Sequence, residues 1–155
     1  MRPGRCGQVL LAAAGLAALV GCATTYRRSP LGLGDGYRER LLAPGLWRVT
    51  GSANGFSRPG LGIDIALYRA AELAGAAGFA YFQILDGDYD AGTITSSAFG
   101  GGATYAGDRQ TLKIRAVHDA RAPLACEARD PGRCRTLSVA EVRAQIGARL
   151  GAAAR

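Results

Sequence analysis

The segment from Ile63 to Ala77 constrains the fold of this chain more than any other. Ile63, Leu67, Ala70 or Ala71, Ala74 and Ala77 recur at three-to-four spacing, which puts them on one stripe of a helix. Asp64 falls in the first turn, where the helix dipole favours negative charge. Gly78 supplies the left-handed residue that stops the helix. Phe79 to Leu85 follows at once as a strand with large residues on both faces, the pattern of a strand inside a sheet. An alanine stripe predicts close approach, and the partner expected is this strand, with Phe82 and Ile84 filling the gap. Arg69 and Glu72 stand three apart and are expected to pair on the water-facing side.

Other elements arrange themselves around that unit. Leu46 to Gly51 alternates aromatic and branched residues with others and reads as a strand. Ser52 to Gly62, with Asn54-Gly55 and Arg58-Pro59-Gly60, reads as a loop. Thr93–Phe99 and Ala103–Val117 read as strands joined at Gly100-Gly101-Gly102, the second interrupted at Gly107-Asp108. Ser138-Val139-Ala140-Glu141 matches a capping box, and Val139, Val142, Ile146 and Leu150 then mark a second amphipathic helix. Residues 151–155 are expected to fray. This order predicts an α+β two-layer domain over residues 45–150: a mostly antiparallel sheet of about four strands with two helices on one face. A right-handed strand–helix–strand crossover would make strands 46–51 and 79–85 parallel.

The N-terminus is of a different kind. Arg2 and Arg5 precede an apolar run from Val9 to Val20, the order of a secretory signal. Twelve helical residues span roughly 18 Å, short of the ~30 Å of a bilayer core. The run ends in Leu19-Val20-Gly21-Cys22, which resembles the lipobox of bacterial lipoproteins. The resemblance implies a signal peptide over 1–21, with cleavage and acylation at Cys22 and attachment to a membrane through that lipid. Ala23 is not the aspartate that often retains such proteins in the inner membrane, so the outer membrane is expected. Residues 22–44, rich in Gly, Pro and Arg, read as a flexible tether, with Gly36 to Leu42 able to dock on the domain.

Charge and cysteine usage agree with export. The chain carries a formal +7, and without Arg2 and Arg5 the remainder keeps +5. Its basic residues are scattered and do not alternate with aromatics, so no nucleic-acid footprint results. Arg27 and Arg28 lie close enough to the anchor to meet anionic headgroups. Once Cys6 leaves with the signal and Cys22 is acylated, Cys126 and Cys134 remain. The turn-forming Asp130-Pro131-Gly132 between them predicts a disulfide in an oxidising compartment. A metal site there would need more ligands, and the chain has one histidine, His118.

Further residues extend the resemblance. Gly36-Tyr37-Arg38-Glu39, Trp47-Arg48-Val49, Tyr68-Arg69-Ala70-Ala71-Glu72-Leu73 and Gly78-Phe79-Ala80-Tyr81-Phe82 follow one another. The chain is similar over about Cys22 to Leu85 to a family of small uncharacterised bacterial lipoproteins. That family combines a lipobox, a Tyr-Arg-Ala-Ala-Glu-Leu helix and a Gly-Tyr/Phe-x-x-Phe strand. Gly51-Ser52-Ala53-Asn54 is longer than the family's Gly-Asn turn, and Phe79 stands where tyrosine is usual. The resemblance implies a lipoprotein domain and no activity.

No set of residues points to catalysis, a cofactor or a metal. Asp86, Asp88 and Asp90 open like a calcium loop, but Ala91 and Ser97 occupy the positions of its glycine and bidentate glutamate. They are expected in a solvated turn. His118 has no nucleophile-elbow motif to serve and is expected at the surface. Asp64 and Glu72 are too far apart for an acid–base pair. The sequence therefore points to a non-enzymatic envelope lipoprotein that binds or scaffolds, with Asn54, Arg69 and Glu72 as a possible partner surface. The alternatives are an envelope stress sensor or assembly-complex partner, working through the open sheet face or the 52–62 loop, and a cell-envelope hydrolase.

Overall fold

The computed structural model describes residues 24–29, 35–90, 93–96 and 103–153. The chain is an α+β domain. Its main sheet contains β1 (Gly36–Ala43), β2 (Leu46–Ala53), β3 (Tyr81–Asp90), β6 (Asp108–Val117) and β7 (Arg135–Ser138). The spatial order is β1-β2-β6-β3-β7 with every neighbouring pair antiparallel. A separate ribbon pairs β4 (Thr93–Ser96) with β5 (Ala103–Ala106). The two helices are α1 (Leu61–Ala76) and α2 (Val139–Ala153).

Two strands were not legible as such. Gly36–Ala43 belongs to the region that reads as a tether, yet it is the edge strand β1 and pairs with β2 along its length. Its backbone hydrogen bonds outweigh the freedom its composition suggests. Arg135–Ser138 forms β7 on the far edge, paired with Tyr81–Ile84. Strands β2 and β3 do run in the same direction, because both are antiparallel to β6. They are not partners, since β6 lies between them. The break at Gly107 divides β5 from β6, which belong to different sheets. Asp86, Asp88 and Asp90 are not in a turn after β3 but within it.

α1 buries Leu61, Ile65, Ala66, Ala70, Ala71 and Ala74, while Ile63 and Leu67 are half-buried and Ala77 is exposed. The alanine stripe faces inward, but its apolar end is set by Leu61, Ile65 and Ala66. The helix lies chiefly over β2 and β6, with less contact to β3. This corrects the expectation that β3 carries it. The reason is Gly51 on β2: a Cβ there would meet Ala66 N at 2.6 Å and Gly62 O closer still. Only a residue without a side chain admits the helix backbone at that point.

α1 is capped by a residue remote in sequence, and α2 by the serine that immediately precedes it. Asp108, the first residue of β6, accepts hydrogen bonds from Gly60 N–H at 2.6 Å and Gly62 N–H at 2.7 Å, so its carboxylate satisfies donors that the start of α1 leaves free. Asp64, nearly buried, accepts from the guanidinium groups of Arg58 and Arg149, the latter at 2.7 and 3.1 Å. Burial pushes the Asp64 carboxyl up, and hydrogen bonds and charge from Arg149 and Arg58 more than reverse this, holding it below the usual carboxylate range. At the other end, Gly78 at φ 83° lets its N–H reach Gly75 O and that of Phe79 reach Ala74 O, both at 3.0 Å. α2 starts with Ser138 Oγ accepting from Glu141 N–H and Val139 N–H donating to Ala80 O. It packs beside α1, where a Cβ on Gly147 would lie 3.1 Å from the Tyr68 ring.

Trp47, Val49, Phe82, Ile84, Leu112 and Ile114 from the sheet join the buried faces of α1 and α2 in one core. Gly51→Ala is expected to destabilise the domain by about 3 kcal/mol, the upper end of the overpacking range, because the obstacle is backbone and not a movable side chain. Thermal denaturation of the variant measures it, and an unchanged melting temperature would refute the close approach.

Candidate functional site

The residues expected to form a partner surface are all engaged by the chain's own N-terminal segment. Asn54 follows β2 and opens the 54–60 loop. Its Nδ2 donates to Asp35 Oδ2 at 2.6 Å, and its Oδ1 accepts from Phe56 N–H and Ser57 Oγ. Its backbone N–H donates to Thr24 Oγ1 at 3.0 Å, while Thr24 N–H donates to Ser57 Oγ at 2.9 Å. Thr24 is 5% exposed. The loop folds around a residue that lies two positions beyond Cys22.

Arg69 and Glu72 meet on α1 as their spacing predicts, with Nη1 and Oε2 2.8 Å apart. They do not face open water. Arg69 also reaches Glu39 Oε1 of β1 at 3.3 Å, and its guanidinium lies 4.6 Å from the Tyr37 ring centroid. The Tyr26 hydroxyl donates to Glu72 Oε2, and its ring packs 4.9 Å from Tyr37 and 5.0 Å edge-on to Tyr68. Burial, then the hydrogen bond to the Glu72 carboxylate, raises the Tyr26 phenol far above its ordinary range, so it stays protonated and donating. Burial alone would lower Arg69, but Glu72 and Glu39 hold it charged. Tyr37 N–H donates to Arg27 O and Ser29 N–H to Tyr37 O, both at 2.8 Å, so residues 27–29 run beside β1. The result is a clamp. Asn54, Ser57, Glu72 and Tyr37 hold residues 24–29 against the domain at both ends.

The other side of β3 is covered by the disulfide loop. Cys126 and Cys134 are bonded, with Cα atoms 5.6 Å apart. A bulge at Leu85 interrupts the pairing of β3 with β6. The freed Leu85 carbonyl accepts from Glu127 N–H at 2.7 Å and Ala128 N–H at 3.2 Å, so the loop closes over a gap in the sheet ladder. Gln83, fully buried, donates to Ala122 O at 2.8 Å and Pro123 O at 3.3 Å. His118 is exposed and stacks on Phe79 with centroids 4.4 Å apart.

An open groove of about 300 Å3 lies between the start of α1 and the outer half of β3, lined by Ile63, Leu67, Ile84, Gly87, Leu112 and Arg133. Gly87 keeps it open: a Cβ there would lie 3.2 Å from Leu112 Cδ2. Among the described residues no group of three His, Cys, Asp or Glu side chains is arranged to hold a metal ion. No family model, no curated protein and no solved structure matches the chain.

The three-residue spacing pairs Arg69 with Glu72 but carries no sign of Tyr26, Tyr37 and Glu39, which determine how exposed that pair is. The available signal was alternation in Tyr37-Arg38-Glu39-Arg40-Leu41, hidden because its inward set includes a carboxylate. Glu72→Ala is expected to cost about 1–3 kcal/mol through the charged hydrogen bonds lost. It should also speed tryptic cleavage after Arg27 and Arg28; unchanged cleavage would mean that Glu72 does not hold the segment. For the disulfide, alkylation of the unreduced, denatured protein should label neither Cys126 nor Cys134. Reduction should lower stability by roughly 2.5 kcal/mol for a loop this short.

Proposed function

We propose that the protein is a cell-envelope lipoprotein, attached to the outer membrane through an acylated Cys22 and acting by binding or scaffolding and not by turnover. The observation that carries this reading is the Leu19-Val20-Gly21-Cys22 motif at the end of a short apolar run behind Arg2 and Arg5. The Cys126–Cys134 disulfide supports it, since such bonds persist in oxidising compartments.

The clamp changes what attachment would mean. With Thr24 buried in the domain, only Ala23 separates it in sequence from the acylated residue. A tether of some twenty residues would let the domain roam, whereas a clamped segment keeps it at the membrane surface. A second reading, an assembly-complex partner or stress sensor, draws support from the open side of the sheet, where Arg38, Arg40 and Arg48 are exposed.

Cys22→Ala is expected to leave an unprocessed precursor without acyl chains, as read by intact mass. Wild-type protein isolated from membranes should begin at Cys22 and carry lipid. A mature chain beginning elsewhere, or one without lipid, would refute the anchor.

A further inference from the structure

The face of the sheet turned away from the helices is unevenly charged. Over β1, β2 and β6 the residues on that side include Arg38, Arg40, Arg48, Arg109, Lys113 and Arg115, and none is acidic. Register places Arg40 opposite Arg48, and Arg48 opposite Lys113, so three cations stand in one row across three strands. Neighbouring strands lie about 4.8 Å apart, and like charges directly opposite one another oppose pairing. Lys113 is compensated by Glu127 at 2.5 Å. No ion pair of the described residues reaches Arg38, Arg40, Arg48 or Arg115. On the neighbouring strand β3 three acids stand in register with β6, Asp86 opposite Lys113, Asp88 opposite Thr111 and Asp90 opposite Arg109, so the uncompensated cations are those of β1 and β2 together with Arg115.

We infer that this face lies on an anionic phospholipid surface. Charge complementarity is the first argument, since each arginine or lysine near such a surface is attracted to its headgroups. Shape is the second: the side chains rise from a sheet, Thr50 and Thr111 lie between the cations, and no aromatic residue on these three strands faces this way to stack on nucleic-acid bases. Position is the third. Thr24, two residues after Cys22 in sequence, is held beside the end of β2, and residues 27–29 run along the start of β1, so the described chain begins at that corner of the sheet. The inference rests on the anchored reading for the leaflet's place at that corner, and on the sheet alone for its charge.

The full-length protein, incorporated into phosphatidylcholine vesicles with or without phosphatidylglycerol, provides the test. Phenylglyoxal modification read by mass spectrometry reports each arginine, and intact mass reports acylation of Cys22 separately. Arg38, Arg40 and Arg48 are expected to react about fivefold or more slowly on the anionic vesicles. The protection should vanish in about 1 M salt, where the Debye length is about 3 Å. Arg143, exposed on α2 across the sheet, should react equally on both. The pair R40Q/R48Q should abolish protection at Arg38 without lowering the melting temperature. Equal reactivity on both vesicles in acylated protein would overturn the face and leave the anchor standing. Protection in protein without acyl chains would support the face and overturn the anchor. Equal protection of Arg143 would also count against it, because no one face would then be chosen.

Discussion

The approach of α1 to Gly51 is the contact on which the rest of the domain depends. At that point the helix backbone, through Gly62 and Ala66, occupies the space a side chain on β2 would need. Ala70, Ala71 and Ala74 continue the approach, so the helix lies low across the sheet. Around that contact the bulk of the core is supplied by Ile65, Phe82, Ile114 and the apolar face of α2. Asp108 makes the contact one of fixed register: the same residue that opens β6 closes the start of α1. Displacing the helix by one residue would break both the steric fit and the cap.

With α1 in that position, its outer flank becomes the seat of the N-terminal segment. Arg69 and Glu72 leave α1 on the side nearest β1, where Glu39 and Tyr37 meet them. Tyr26 closes over the pair and shields part of it from bulk water, which strengthens each charged hydrogen bond while making an unpaired member more costly. A segment whose composition suggests a mobile spacer is held by side chains that are remote in sequence. The consequence is mechanical: residues 24–29 are fixed relative to the corner of the sheet where β1 begins and β2 ends.

Electrostatics divides the molecule in two. On the helix side and around the clamp nearly every buried charge has a partner, as with Asp64, Glu39, Arg69 and Glu72. On the open side of β1 and β2, arginines face one another across strands with none. Burial explains the contrast. A charge in the interior must be paired or it is not tolerated, whereas a solvated row costs little in isolation and is available to an anionic surface. Strand register gathers six of the scattered basic side chains on the open face of β1, β2 and β6.

Wherever a single local pattern dominated, the chain's own order of residues was enough. The helix before Gly78 is one such element, the capping box at Ser138 another, and the closeness of Cys126 to Cys134 across Asp130-Pro131-Gly132 a third. Each rests on contacts between residues a few positions apart, and the α+β class follows from their sequence. Tertiary structure decided the rest, because it depended on partners far along the chain. Gly36–Ala43 is a strand only because β2 offers it an edge, β6 enters between β2 and β3 only after the ribbon has turned the chain back, and Glu72 is half-buried only because Tyr26 arrives from forty-six residues away. Local patterns record what a segment can become; which face is buried and which charges meet is settled by the segments that happen to pack there.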